Sequence, residues 1–142
     1  MVTAYLTKYA GTEGFAAPGT YNASNRAYPD VSAFMDGIPL CTNGRCSASI
    51  SGGTSASTPT WGGIISLLNE ARSAKKLPPL GLVGPRIWAV AQAHEGEAFR
   101  DVTKGNTNCG CDNGFIASTG WDLMTGWGEP KWVGLLKYLG TD

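Results

Sequence analysis

One hydroxyl is placed as a nucleophile would be. In Gly53-Thr54-Ser55-Ala56-Ser57-Thr58-Pro59 the apolar pattern that follows predicts a helix, so Ser55 falls in its first turn. Backbone N–H groups there have no intrahelical partner and carry partial positive charge, which suits an oxyanion developing on a substrate carbonyl. The small residues around Ser55 let that carbonyl approach. Pro59 is tolerable so early in a helix because few amides there are bonded within it. A Ser/Thr cap needs less than this whole heptapeptide. The order also departs from the G-x-S-x-G nucleophile elbow, because Ser57 stands where the last glycine would be, and this disfavours an α/β-hydrolase.

Other chemistry-bearing residues are sparse. Cys41 and Cys46 flank an Asn43-Gly44 turn, which predicts a hairpin disulfide. Cys109 and Cys111 are too close in sequence for an easy mutual bridge, and each is available to a distant partner, in this chain or outside it. A zinc site on these four cysteines with His94 would need atypical C-x₄-C and C-x-C spacings. His94, the single histidine, has no triad motif around it and reads as a surface or helix-end residue. Asn22-Ala23-Ser24 is a glycosylation sequon, consistent with an oxidising compartment.

The elements that must position Ser55 are legible in outline. Val2 to about Tyr9 reads as a short helix, and Pro29 to Phe34 as a short buried strand. A hairpin or loop pair is expected from about Ile38 through the Asn43-Gly44 turn to Ser47–Ile50. A long helix runs from Ser55 to about Lys75, with Trp61, Ile64, Ile65, Leu68 and Ala71 on one face. Leu77-Pro78-Pro79 ends it. Further helices are expected from Pro85 to about Ala93 and from Pro130 to Leu139, the last with Trp132, Leu135, Leu136 and Leu139 on one face. Arg100 to Gly128 is rich in glycine and poor in periodicity. One domain is expected from 142 residues, and 42% hydrophobic against 15% charged content favours folding over disorder. Glycine, 20 of 142 residues, is about twice its usual share, which argues for tight turns. Zero net charge and the lack of a basic run exclude an evident nucleic-acid partner. No apolar run approaches the ~20 residues of a membrane span. No signal-peptide pattern opens the chain, which leaves room for one on a longer precursor. So few strands cannot make a stable sheet, and the pattern looks like the second part of an α/β domain whose earlier strands lie elsewhere.

Three motifs in order, the last in two segments, resemble the sedolisins, the serine-carboxyl peptidase family, and especially their tripeptidyl-peptidase branch. Tyr21 to Val31 (YNASNRAYPDV) resembles the family's lead into a late sheet strand. Gly53-Thr54-Ser55-Ala56-Ser57 resembles its serine signature. Asp101-Val102-Thr103-Lys104-Gly105 and Gly120 to Gly128 (GWDLMTGWG) resemble its calcium segments. The resemblance covers nearly the whole chain. It implies an α/β fold, the C-terminal portion of a subtilisin-like parallel sheet flanked by helices, with residues 1–142 as the C-terminal part of the peptidase domain. It implies Ser55 as nucleophile, with a glutamate base, an orienting aspartate and an oxyanion-hole aspartate from the earlier half of the family domain, segments with no match here. It also implies acid-acting endopeptidase or tripeptidyl-peptidase chemistry on peptide or protein substrates, in a secreted or lysosome-like acidic setting.

For calcium (Ca2+), which takes six to eight oxygens, the resemblance implies carboxylates from Asp101 and Asp122 and backbone carbonyls from Val102, Ser118 and Gly120, with water completing the shell. Composition alone would read the two aspartates as solvated loop residues, and no EF-hand pattern is present. The leading expectation is therefore a peptidase part that carries the nucleophile and calcium site and needs the N-terminal half as partner for activity. The alternative is a non-catalytic calcium-binding or interaction module derived from a peptidase.

Overall fold

The computed structural model describes residues 1–47 and 53–141. Helix α1 spans Val2–Tyr9 and buries Tyr5 and Leu6. The predicted hairpin forms as strands β1 (Cys41–Thr42) and β2 (Arg45–Cys46), antiparallel, with Cys41 opposite Cys46 and the two bridged. Asn43 and Gly44 both have positive φ, 52° and 73°, as a two-residue hairpin turn of this twist requires. Of the loop expected from Ser47 to Ile50, residues 48–50 lie outside the described residues, as does Gly52.

Helix α2 spans Gly53–Ala74 and α3 spans Val83–Ala93. Strands β3 (Phe99–Arg100) and β4 (Glu129–Pro130) pair antiparallel, and helix α4 (Trp132–Leu139) follows. The main core gathers Leu68 of α2, Ile87 and Ala91 of α3, Phe99 of β3 and Leu135 and Leu139 of α4. A second cluster joins Tyr5, Leu6, Phe15 and Trp121, and Trp88 and Trp127 pack against both. Thus α2 presents the predicted stripe inward, Leu68 fully buried with Trp61, Ile64 and Ile65 packed beside it. Arg72, also on that side, is buried. Its Nε donates to the Pro78 carbonyl at 2.7 Å and its Nη1 to the Leu139 carbonyl at 2.8 Å, which ties the end of α2 to the following loop and to α4.

Three expectations need correction. The architecture is a small mixed α/β domain of four helices and two small antiparallel sheets, and no subtilisin-like parallel sheet is present among the described residues. Pro29 to Phe34 forms no strand. Its backbone makes ladder-like bonds along one edge only, with Trp127 N–H donating to the Asp30 carbonyl at 2.9 Å and Ser32 N–H to the Gly128 carbonyl at 3.0 Å. A strand needs backbone-paired neighbours, and among the described residues no second segment shares backbone hydrogen bonds with this one. Pro130 opens no helix. It sits in β4, opposite Phe99, and α4 begins at Trp132. Among the described residues no helix is long and apolar enough to cross a membrane.

Candidate functional site

Ser55 is the third residue of α2 and is exposed. Gly53, with φ of 48°, turns the chain into the helix. Pro59 has no N–H to give the Ser55 carbonyl, so the first turn is loosened directly behind the serine. Two side chains dock this turn on the extended segment that follows Pro29. Ser57 Oγ donates to the Ala33 carbonyl and Trp61 Nε1 to the Ser32 carbonyl, each at 2.9 Å. The sequence placed Ser57 and Trp61 near the serine but gave no sign of these bonds, which depend on a partner more than twenty residues earlier.

No described acid or base is hydrogen-bonded to Ser55. Asp30 is engaged by Arg26 at 3.1 Å and by Trp88 Nε1 at 2.7 Å. Glu97 binds Lys137 and the Tyr138 hydroxyl, which together hold its carboxyl below the usual range, the tyrosine contributing most. Lys137 is raised in turn, by Tyr138 first and then by Glu97. His94 caps the C-terminus of α3 and stacks on Tyr138 with ring centroids 3.7 Å apart. It is the helix-end residue that the sequence suggests and not a partner of the serine.

The Asp101 and Asp122 segments meet. Asp122 is fully buried. Its Oδ1 accepts from Met124 N–H (2.9 Å), Thr125 N–H (2.8 Å) and Thr125 Oγ1 (3.2 Å), and its Oδ2 from Ser118 N–H (2.8 Å). Asp101 Oδ2 accepts from Gly120 N–H at 2.8 Å, while Asp101 Oδ1 is buried with no partner in the protein. Both carboxylates therefore grip one loop, residues 118–122. Among the described residues the carbonyls of Val102, Ser118 and Gly120 accept no hydrogen bond. Oxygens without partners are what a hard cation requires. Asp101 Oδ1 fits that need best, and Asp122 Oδ2, with one donor, has a lone pair left. No three His, Cys, Asp or Glu side chains converge among the described residues, so a cation here would depend on backbone carbonyls. The zinc arrangement is not built: Cys41 and Cys46 are bridged, and Cys109 and Cys111 are exposed free thiols.

No protein-family model matches the chain. Curated relatives do. Tripeptidyl-peptidase 1 of Bos taurus and of Homo sapiens are each 44% identical over 140 residues, and that of Mus musculus is 46% identical over 140 residues. Each match covers 94% of this chain and 24% of the relative. The chain thus spans about a quarter of the length of the curated relatives it matches, and its relationship to tripeptidyl-peptidase 1, a sedolisin, extends across nearly all of its own length.

Proposed function

From this relationship to the sedolisin tripeptidyl-peptidase 1 we propose that the chain is the nucleophile-bearing, C-terminal part of a serine-type peptidase acting on peptides or proteins in acid. The observation that carries the reading is the exposed Ser55 in the first turn of α2, inside a chain so closely related to a peptidase. Ser55 Oγ attacks the scissile carbonyl while the amides of the first turn face the developing oxyanion. A serine hydroxyl needs a base to take its proton. Each partnered carboxylate described above is bonded to groups other than Ser55, which supports a base supplied from outside these 142 residues. The partner is accordingly the N-terminal half of the peptidase domain, and the isolated chain does not turn over peptides. The setting is secreted or lysosome-like. The Cys41–Cys46 bridge supports an oxidising route to it.

Calcium belongs to the same reading. Asp101 Oδ1, Asp122 Oδ2 and the carbonyls of Val102, Ser118 and Gly120 would hold it. It would supply a fixed charge that locks the 118–122 loop, which is structural chemistry. The absence of a described base at Ser55 favours one competing reading, a non-catalytic calcium-binding or interaction module.

One experiment separates them. The chain is incubated with a serine-reactive phosphonate at mildly acidic pH with calcium, beside Ser55→Ala, with and without the N-terminal half of tripeptidyl-peptidase 1, and intact mass is read. Labelling at Ser55 that appears only with the added half supports the peptidase part. Labelling of the chain alone overturns the need for a partner. No labelling in either case, with the two halves shown to associate, favours the non-catalytic module.

A further inference from the structure

Cys109 and Cys111 are exposed free thiols two residues apart, and they share one closed turn. Cys111 N–H donates to the Asn108 carbonyl at 2.7 Å, and the two central residues, Cys109 and Gly110, have φ of 49° and 90°. Positive φ at both central positions is the type I′ pattern, ordinary for glycine and unusual for a cysteine. The turn is the tip of a loop whose base is fixed. Thr107 N–H donates to the Phe115 carbonyl at 2.9 Å, Phe115 N–H to Thr107 Oγ1 at 3.0 Å, and Gly114 N–H to the Gly14 carbonyl at 3.0 Å. A Cβ on Gly114 would lie 2.5 Å from the Asn108 backbone nitrogen, so the two arms of the loop meet directly behind the tip. Both thiols therefore stand in solvent on a tip that is held from behind.

Chain geometry bounds their separation. Cα atoms two residues apart are at most about 7 Å apart in an extended chain, a turn draws them closer, and a disulfide spans Cα distances of about 4.4–6.8 Å. The pair is within bridging range, while a ring of so few residues strains the bond and makes it easy to reduce. We propose that Cys109-Gly110-Cys111 is a thiol–disulfide exchange site for small disulfides of the glutathione type, independent of the peptidase reading. One cysteine thiolate attacks the small disulfide, forms a mixed disulfide and releases the first small thiol. The other thiolate attacks the protein sulfur of that mixed disulfide, closes the Cys109–Cys111 bond and releases the second. The two cysteines give up two electrons and two protons, and the small disulfide takes them up as two thiols. Excess small thiol runs the same steps backwards. Strained, exposed bridges form the labile class. The Cys41–Cys46 bridge differs in being supported by the backbone pairing of β1 with β2.

The test uses the full chain, equilibrated in buffers of graded ratio of glutathione squared to glutathione disulfide, then quenched in acid, alkylated and digested with trypsin. Residues 105–131 form one tryptic peptide that holds both Cys109 and Cys111, whereas Cys41 and Cys46 fall on either side of the cut at Arg45, so one digest reads the two pairs separately. In oxidising buffer peptide 105–131 is expected to carry an internal bridge. It should lose that bridge at a ratio about tenfold or more below the one that opens Cys41–Cys46. Cys111→Ser is expected to keep glutathione on Cys109 as a mixed disulfide, since no second thiol remains to release it. Gly110→Ala opposes the φ of 90° and is expected to lower the midpoint ratio about fivefold or more. Two alkylated cysteines in oxidising buffer, or a bond from either to another chain, overturns the exchange site. So does a midpoint equal to that of Cys41–Cys46, a Cys111→Ser chain free of glutathione, or a midpoint that Gly110→Ala leaves unchanged.

Discussion

Replacing Asp122 by Asn separates what this carboxylate does for the fold from what it does for a cation. Asp122 is fully buried and takes four donors. Asn keeps the shape but can present only one oxygen. Its better orientation keeps that oxygen on the two amides and the hydroxyl now bonded to Oδ1, and turns the NH2 group toward Ser118 N–H. Two donors then face each other in a buried place. An unmet buried donor costs about 1–3 kcal/mol. The three surviving bonds also fall from charged to neutral acceptors, which are roughly half as strong. A net loss of about 3 kcal/mol follows, or about 9 °C in Tm at roughly 3 °C per kcal/mol for a chain of this length. The assay is thermal unfolding of the parent and Asp122→Asn by circular dichroism, in chelator and in millimolar calcium. In chelator the loss should be present already, because it comes from hydrogen bonds. In calcium the gap should widen, because the parent gains binding free energy that the variant cannot gain. A variant within about 0.5 kcal/mol of the parent in chelator, the range of an ordinary surface change, would refute the hydrogen-bond accounting. An equal gap in both buffers would refute Asp122 as a ligand.

Gly134→Ala sets helix propensity against close approach. Propensity alone predicts a gain of about 1 kcal/mol. A Cβ there, however, would lie 2.2 Å from the Glu97 carbonyl oxygen and 2.7 Å from the Ala98 Cα, so α4 must move off the chain that leads into β3, and urea unfolding should show a net loss of about 1–2 kcal/mol. A stabilised variant would mean that α4 is free to shift. Tyr5 predicts a base-side transition. Burial pushes its phenol up to about 12, partly countered by its bond to the Ile116 carbonyl. A folded value raised above the ordinary 10 stabilises the fold fully below pH 10 and loses that contribution as pH rises toward 12, about 2–3 kcal/mol in all. Tyr5→Phe should flatten that part of the stability–pH curve, and an unchanged slope between pH 10 and 12 would show that another group is responsible.

Local signals were legible where local physics decides. The Asn43-Gly44 turn, the apolar stripe on α2 and the Pro78-Pro79 stop each act within a few residues, and each appears where expected. Ser55 was legible for the same reason, since its first-turn position follows from the start of one helix. What the sequence left obscure depends on pairing. Pro29 to Phe34 has the composition of a buried strand, yet one bonded edge at Trp127 and Gly128 does not make a sheet. Pro130 resembles a helix start because proline suits the first turn, but its ring lies in β4 opposite Phe99, where the missing N–H is not needed. The 101–126 loop has no period to read. Its order comes from two carboxylates with their donors, and no pattern of types reveals that Asp122 takes four donors while Asp101 leaves one oxygen without a partner.

The two halves of the functional reading are connected through backbone rather than through proximity of side chains. Asp122 and Asp101 fix the 118–122 loop, and the turn from Asp122 to Gly126 closes on itself through bonds in both directions between those residues. Gly126 then passes so near Asp30 that a Cβ would sit 2.3 Å from its carbonyl oxygen, which only glycine with its φ of 62° permits. Trp127 and Gly128 bond directly to the 30–32 segment, and the next residue, Ala33, accepts the Ser57 hydroxyl two positions beyond Ser55. The links run in series, hydrogen bonds of 2.8–3.3 Å with the close approach of Gly126 to Asp30 among them. A loosened carboxylate loop would free Trp127 and Gly128, and with them the segment on which the first turn of α2 is docked. A cation bound at Asp101 would therefore act on the serine by stiffening this path and not by any charge it brings to the reaction.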